Sequence, residues 1–194
     1  MSAGTHIVIL AAGSSSRLGS PKQLIDWHGQ PLLRHLAQQA IATGAPVTVI
    51  LGANAEIIRP TIADLPLTIV ENDQWPEGMS SSVRLAATRI DAGALLLMTC
   101  DQPFVTTETL RALIGARITS HHRIVASEYE GTVGVPALFD RSLFTTLCGL
   151  TGAQGAKSLI CRHLFETIRL PFPAGKFDLD TPADLVRAQA ATGG

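Results

Sequence analysis

Aromatic residues make up only 5% of this 194-residue chain, which carries a single tyrosine. A core built without them must rest on Ala, Leu, Ile and Val, and the 46% hydrophobic fraction suits a parallel sheet covered by helices. Long apolar runs are lacking too. None nears the roughly 18 residues needed to span a bilayer, and no signal-peptide pattern opens the chain. The three cysteines, Cys100, Cys148 and Cys161, lack metal-ligand spacing and read as reduced thiols in a cytoplasmic protein. The six histidines lack it as well and read as surface or structural residues. Nor is there an excess of charge. The net is −1 with 15 scattered basic residues, which leaves no electrostatic footprint for nucleic acid. Without repeats, low-complexity tracts or linkers, one domain over 1–194 is expected.

What is present is an alternation of apolar runs with helical patterns. Strands are expected at 6–11, 46–52, 67–71, 94–99, 123–127, 132–136 and 166–170. Helices are expected at 31–43, 54–63, 79–91, 107–119, 140–148, 155–164 and 182–192. This rhythm predicts an α/β fold of βαβ units with right-handed crossovers. Pro31 before one helix and Gly44 after it agree with helix start and stop signals. Gly131, Gly134 and Pro136 break the rhythm and predict a hairpin or irregular strand inserted into the sheet.

Directly after the run Ile7-Val8-Ile9, residues 10–22 read Leu-Ala-Ala-Gly-Ser-Ser-Ser-Arg-Leu-Gly-Ser-Pro-Lys. Small residues let backbone N–H groups approach phosphate oxygens, and Arg17 and Lys22 supply positive charge. The loop fits neither G-x-x-x-x-G-K-[ST] nor G-x-G-x-x-G. Open α/β sheets bind ligands beyond the carboxyl ends of their strands. The loop after Leu10, the loop after Leu51 and Cys100-Asp101 all follow strands, so they are expected to meet in one pocket.

These residues carry a resemblance. Leu10-Ala11-Ala12-Gly13-x-x-x-Arg17-x-Gly19-x-x-Lys22 resembles the signature loop of sugar-phosphate and cofactor nucleotidyltransferases. Gln23-Leu24-Ile25, Gly29-x-Pro31-Leu32-Leu33 and Gly78-Met79-Ser80-Ser81-Ser82 narrow it. So do Cys100-Asp101-Gln102-Pro103, Gly134-Val135-Pro136 and Asp178-Leu179-Asp180-Thr181-Pro182-Ala183-Asp184. Over almost the whole chain the pattern is similar to the molybdenum cofactor cytidylyltransferases, the molybdopterin nucleotidyltransferase branch of the MobA-like NTP transferases. The resemblance implies a Rossmann-like three-layer αβα sandwich with a mostly parallel mixed sheet, like the nucleotide-diphospho-sugar transferases. It also implies transfer of CMP from CTP to molybdopterin, with release of pyrophosphate and possible delivery of the product to a molybdoenzyme.

On that resemblance Lys22 contacts the α-phosphate, Arg17 holds the β- and γ-phosphates, and Asp101 binds metal. Asp101 ends the apolar run Ala94–Cys100 at the ligand edge, where hard oxygen donors suit Mg²⁺. A helix cap is its plainer reading, although Pro103 and Phe104 intervene before the next helix. Asp180 matches a second metal ligand, with Asp178 the runner-up. Taken alone, the Thr181-Pro182-Ala183-Asp184 stretch is equally a helix start. Base recognition is expected from backbone at Ala11, Ala12 and Gly13, with Gly52 and Ala53 bordering the same pocket. Ser80, Ser81 and Ser82 at a helix start offer hydroxyls to ribose or phosphate, or simply cap the helix. Met79 and Trp75 read either as core or as pocket wall.

The acceptor is expected near Gly134 and Pro136 and along Gly152–Lys157, chiefly Gly155 and Lys157. In this branch the latter stretch commonly reads Gly-Asp-x-Gly-Ala-Arg. Here it is Gly-Ala-Gln-Gly-Ala-Lys, so an aspartate is missing and a lysine replaces the bidentate arginine fork. Two other readings are weighed with cytidylyl transfer. One is the same chemistry with GTP or another phosphorylated acceptor, for which a sugar site would need more aromatic groups. The other is a non-catalytic nucleotide- or molybdopterin-binding delivery protein.

Overall fold

Ile7-Val8-Ile9-Leu10 lie at the middle of the molecule as part of the first strand, β1 (Thr5–Ala11), with Ile7, Val8 and Ile9 fully buried. A strand wetted on neither face has no need of polar alternation, which is why this one reads as a continuous apolar run. The computed structural model describes residues 4–15, 18–120, 122–152 and 155–192. Its principal strands after β1 are β4 (Val47–Leu51), β5 (Thr68–Glu71), β6 (Ala94–Thr99), β7 (Ile124–Tyr129), β8 (Thr132–Asp140) and β9 (Thr167–Pro171). They form a seven-stranded sheet in the order β5-β4-β1-β6-β8-β7-β9. Pairing is parallel except where β8 runs against β6 and β7. A two-stranded ribbon of β2 (Asp26–Trp27) and β3 (Gln30–Pro31) stands apart.

Successive side chains of a strand face opposite ways, so β1 divides between two cores. Ile7, Ile9 and Ala11 join the layer under α1 (Leu32–Ile41), α4 (Thr107–Ser120) and α7 (Pro182–Thr192), with Ile58 of the short α2 (Ala55–Ile58). Val8 and Leu10 face α3 (Met79–Arg89), α5 (Phe144–Cys148) and α6 (Lys157–Arg162). The result is the mostly parallel mixed sheet with helices on both faces that the alternation and the resemblance imply. Helix α1 shows the logic locally. It follows Pro31 and buries Leu32, Leu33, Leu36, Ala37 and Ala40 along one stripe. Each fully buried leucine there contributes about 1.5–3 kcal/mol relative to exposure.

Several boundaries differ from the sequence expectation, each for a local reason. The helix expected over 54–63 leaves α geometry after Ile58, where Pro60 removes a backbone donor. The strand expected to end at 136 continues to Asp140, because Ala137, Leu138 and Phe139 pair with Leu97, Leu96 and Leu95 in the buried sheet. The helical segment that follows therefore begins with a single turn at Arg141–Leu143 before α5. Helix α6 begins at Lys157 rather than 155, since Gly155 sits at φ +54. The ribbon at 26–31 has no counterpart in the sequence reading; positive φ at His28 and Gly29 makes its turn.

The reversed direction of β8 determines what the ligand edge contains. Its first residues, Thr132–Gly134, and the last of β7, Tyr129, lie at the same edge as the carboxyl ends of β1 and β6. Thus the hairpin expected at Gly131–Pro136 delivers its tip to the place where Leu10 and Thr99 end.

Candidate active site

Lys22 is the hub of this edge. Its Nζ donates to Asp180 Oδ1 at 2.9 Å and to Asp101 Oδ2 at 3.3 Å. Side-chain exposure is 13% for Lys22, 22% for Asp101 and 36% for Asp180, so the cluster is partly shielded but open to a ligand. Burial alone would lower the lysine pKa. The Asp101 charge and the Asp180 hydrogen bond outweigh it and hold the ammonium above its ordinary value.

Each member arrives from a different element. Asp101 follows β6, where the chain leaves the sheet. Asp180 precedes α7, and Leu179 N donates to Asp101 O, tying the two segments together. The helix-start reading holds for its neighbours. Asp184 accepts from Thr181 N and Thr181 Oγ1, and its own N–H donates back to Thr181 Oγ1. Asp180 itself turns to Lys22. Asp178 instead faces a cavity beside Asp101, where desolvation and the Asp101 and Asp180 charges push its carboxyl up to about 6.

Lys22 is placed by a residue that the sequence reading quoted only as part of a motif. Gln23 is fully buried, and its Nε2 donates to the carbonyls of Ala11 (2.7 Å) and Gly13 (3.1 Å). Lys22 N donates to Ser15 Oγ at 3.0 Å. The loop is thereby closed on itself across residues 11–23. The Gln23→Leu variant leaves both carbonyls without their donor, so unfolding free energy is expected to fall by about 1–3 kcal/mol. Urea denaturation measures it, and an unchanged midpoint would show that the loop is held by other contacts.

Two cavities lie at this edge, and Asp101 lines the second. One, of about 270 Å³, is lined by Leu10, Ala12, Gly13, Trp75, Gly78, Met79 and Ser82. The other, of about 200 Å³, runs past Thr99, Asp101, Gln102, Tyr129, Gly134 and Lys157, among others. Leu10 and Met79 line both, so they form the partition. Met79 and Trp75 are therefore pocket wall as well as packing. No group of three or more metal-ligating side chains occurs among the described residues. Asp101 and Asp180 form a pair already bracketing a cation, the Lys22 ammonium.

Not every expected contact residue lines these two cavities. Ala11 packs into the core, while Ala12 and Gly13 reach the cavity. Ser80 and Ser81 are buried; Ser81 donates to Gly78 O and accepts from Asn72 Nδ2, and it is Ser82 that lines the cavity. Pro136 is buried with its carbonyl taken by Ser127, and Val135 meets the second cavity instead. Gly155 backs Met79, whose Sδ would lie 2.7 Å from an added Cβ, whereas Lys157 does line the cavity. Arg17 lies outside the described residues, as do Ala153 and Gln154.

Gly52 is absent from the walls of these two cavities; it lines another, with Asn54 and Glu71, and also backs Trp75. A Cβ there would fall 2.7 Å from Trp75 Cβ and 2.9 Å from Ala12 Cβ, so its absence lets the tryptophan seat against the loop after β1. Gly52→Ala is expected to reduce stability by about 1–3 kcal/mol through overpacking. Thermal unfolding checks this, and an unshifted transition would mean that Trp75 moves freely.

A family model described as "MobA-like NTP transferase domain" matches residues 7–167, which include the loop after β1, Asp101 and Gly134. The chain belongs to this family. Among curated family relatives, a molybdenum cofactor guanylyltransferase from Xanthomonas euvesicatoria is 36% identical, with 87% of this chain and 84% of that protein covered. A nicotine blue oxidoreductase from Paenarthrobacter nicotinovorans is 33% identical over 93% of this chain and 94% of its own length. Among solved structures, Rv0371c from Mycobacterium tuberculosis superposes with a TM-score of 0.82 at 30% identity, covering 96% of this chain and 98% of that one. The same mycobacterial protein is also solved in complex with manganese, with a TM-score of 0.80 at 28% identity, covering 95% and 97%.

Proposed function

We propose that the protein transfers a nucleotidyl group from CTP to the phosphate of molybdopterin, releasing pyrophosphate and forming the cytosine dinucleotide. The observation that carries this reading is Lys22 held between Asp101 and Asp180, with Asp101 in the wall of one of the two neighbouring cavities. The larger cavity takes the nucleotide. Ala12, Gly13 and Gly78 offer close backbone approach there, and the positive end of the α3 dipole lies beside it. The smaller takes the acceptor, with the Lys157 ammonium at its wall for a phosphate.

Attack at an α-phosphate needs charge neutralisation and placement more than covalent catalysis. Lys22 reaches the reacting phosphate and offsets the charge that grows on its oxygens, and Arg17 belongs with the departing pyrophosphate. The acceptor phosphate is already anionic, so no side chain must take a proton from it. Two carboxylates flanking a cation are suitable donors for Mg²⁺, with Asp101 and Asp180 as holders. A bound Mg²⁺ supplies further neutralisation of phosphate charge; the relative solved with manganese supports a divalent ion here.

CTP is the reading carried by the resemblance of the sequence; the cavity of about 270 Å³ beside Trp75 has room for either base. The second reading, GTP, is supported by the relative named a guanylyltransferase. Incubation with molybdopterin, Mg²⁺ and each NTP separately, scored by pyrophosphate and product mass, tests both. Product from CTP is expected; product from GTP alone would transfer the reading to the guanylyl reaction, and none from any NTP would end it.

A further inference from the structure

Tyr129, the chain's sole tyrosine, is held in an unusually specific way. A Cβ on Gly134 would lie 2.2 Å from the Tyr129 hydroxyl, and one on Gly175 would lie 2.6 Å from its ring Cδ1. Two positions without side chains thus grip the phenol, one under its oxygen and one against its edge. Phe172 meets the ring edge-on at 6.5 Å. Gln102, only 2% exposed, anchors the grip by donating to Gly175 O at 3.2 Å, and its amide lies beside both the hydroxyl and Asp178. Tyr129 lines the acceptor cavity, whose other polar residues are Thr99, Asp101, Gln102, Lys157 and Asp178. Packing alone would be met equally well by phenylalanine, with no need for a bare backbone beneath the oxygen.

We propose that Tyr129 is an acceptor-recognising residue whose hydroxyl hydrogen-bonds the edge of a nitrogen heterocycle bearing N–H groups. The wall of carboxylates, amide and phenol presents acceptors for such donors, while Lys157 takes the phosphate at the other end. This rests on the transfer reading above and adds the group that reads the acceptor's ring.

The chain labelled with 3-fluorotyrosine gives one ¹⁹F resonance, because only one tyrosine exists. Addition of molybdopterin is expected to shift that resonance, and CTP with Mg²⁺ to leave it nearly in place. Tyr129→Phe is expected to raise the acceptor KM about fivefold, as loss of one neutral hydrogen bond predicts, with the CTP KM and kcat within twofold. Gly134→Ala, which displaces the hydroxyl, should act in the same direction. A resonance that stays put while molybdopterin is consumed, or an unchanged acceptor KM in Tyr129→Phe, overturns the assignment and leaves the transferase reading standing. Failure of the unaltered protein to transfer any nucleotide overturns both.

Discussion

Lys22→Ala is expected to slow pyrophosphate release by about 10²–10³-fold while the fold persists. The lysine is the described cation that touches both site carboxylates, at 3.3 and 2.9 Å. Its removal takes away the positive charge that meets the phosphate, and it leaves Asp101 and Asp180 facing one another without a counter-ion. Two readouts follow. Turnover falls, and the variant gains more thermal stability from added Mg²⁺ than the unaltered protein does, because a divalent ion no longer competes with the ammonium. Turnover within twofold of the unaltered protein would remove Lys22 from the chemistry. A normal circular dichroism spectrum separates either outcome from unfolding.

Asp101→Asn ranks second. The substitution preserves shape and removes one negative charge from the pair proposed to hold the divalent ion. Charge stabilisation by a bound metal is worth several kcal/mol, and each 1.36 kcal/mol is tenfold in rate. A loss of about 10²-fold in kcat is therefore expected at fixed Mg²⁺, with partial recovery at higher concentration. The same change at Asp180, the more exposed partner (36% against 22%), is expected to cost less. A Mg²⁺ titration of turnover distinguishes the two. Equal activity of Asp101→Asn at every concentration would return Asp101 to a structural role.

Much of this arrangement is legible from residues 7–22 and 94–101. Apolar runs that end in Gly13 or Asp101 mark buried strands that stop at a ligand edge, and 3.6-residue periodicity marks α1. Lys22 and Asp101 are legible separately, the one as a cation on a small-residue loop and the other as a carboxylate at the ligand edge; their ion pair is not. What stayed hidden was long-range or conformational. Only the resemblance prefers Asp180 to Asp178 in the sequence; that Asp180 bonds Lys22 while Asp178 lines the cavity depends on contacts across the fold. Ala11, Ser80 and Ser81 lie in the quoted motifs yet are buried, and Gly52 makes room for Trp75. A small residue reads alike whether it makes room for a ligand or for Trp75. Gln23 and Gln102 were passed over because a neutral amide carries no charge signal, and only burial reveals that each bridges backbone carbonyls or anchors a neighbouring loop. Tyr129 carried a signal that was available: the one tyrosine in the chain precedes the glycines of the hairpin.

The most direct measurement is a crystal structure with Mg²⁺ and a CTP analogue that resists cleavage between the α- and β-phosphates. It is expected to show Asp101 and Asp180 sharing one metal ion, with Lys22 Nζ moved onto an α-phosphate oxygen and the cytosine between Ala12, Gly13 and Trp75. A nucleotide bound elsewhere, or Lys22 still joined to both carboxylates beside a bound triphosphate, would contradict this account.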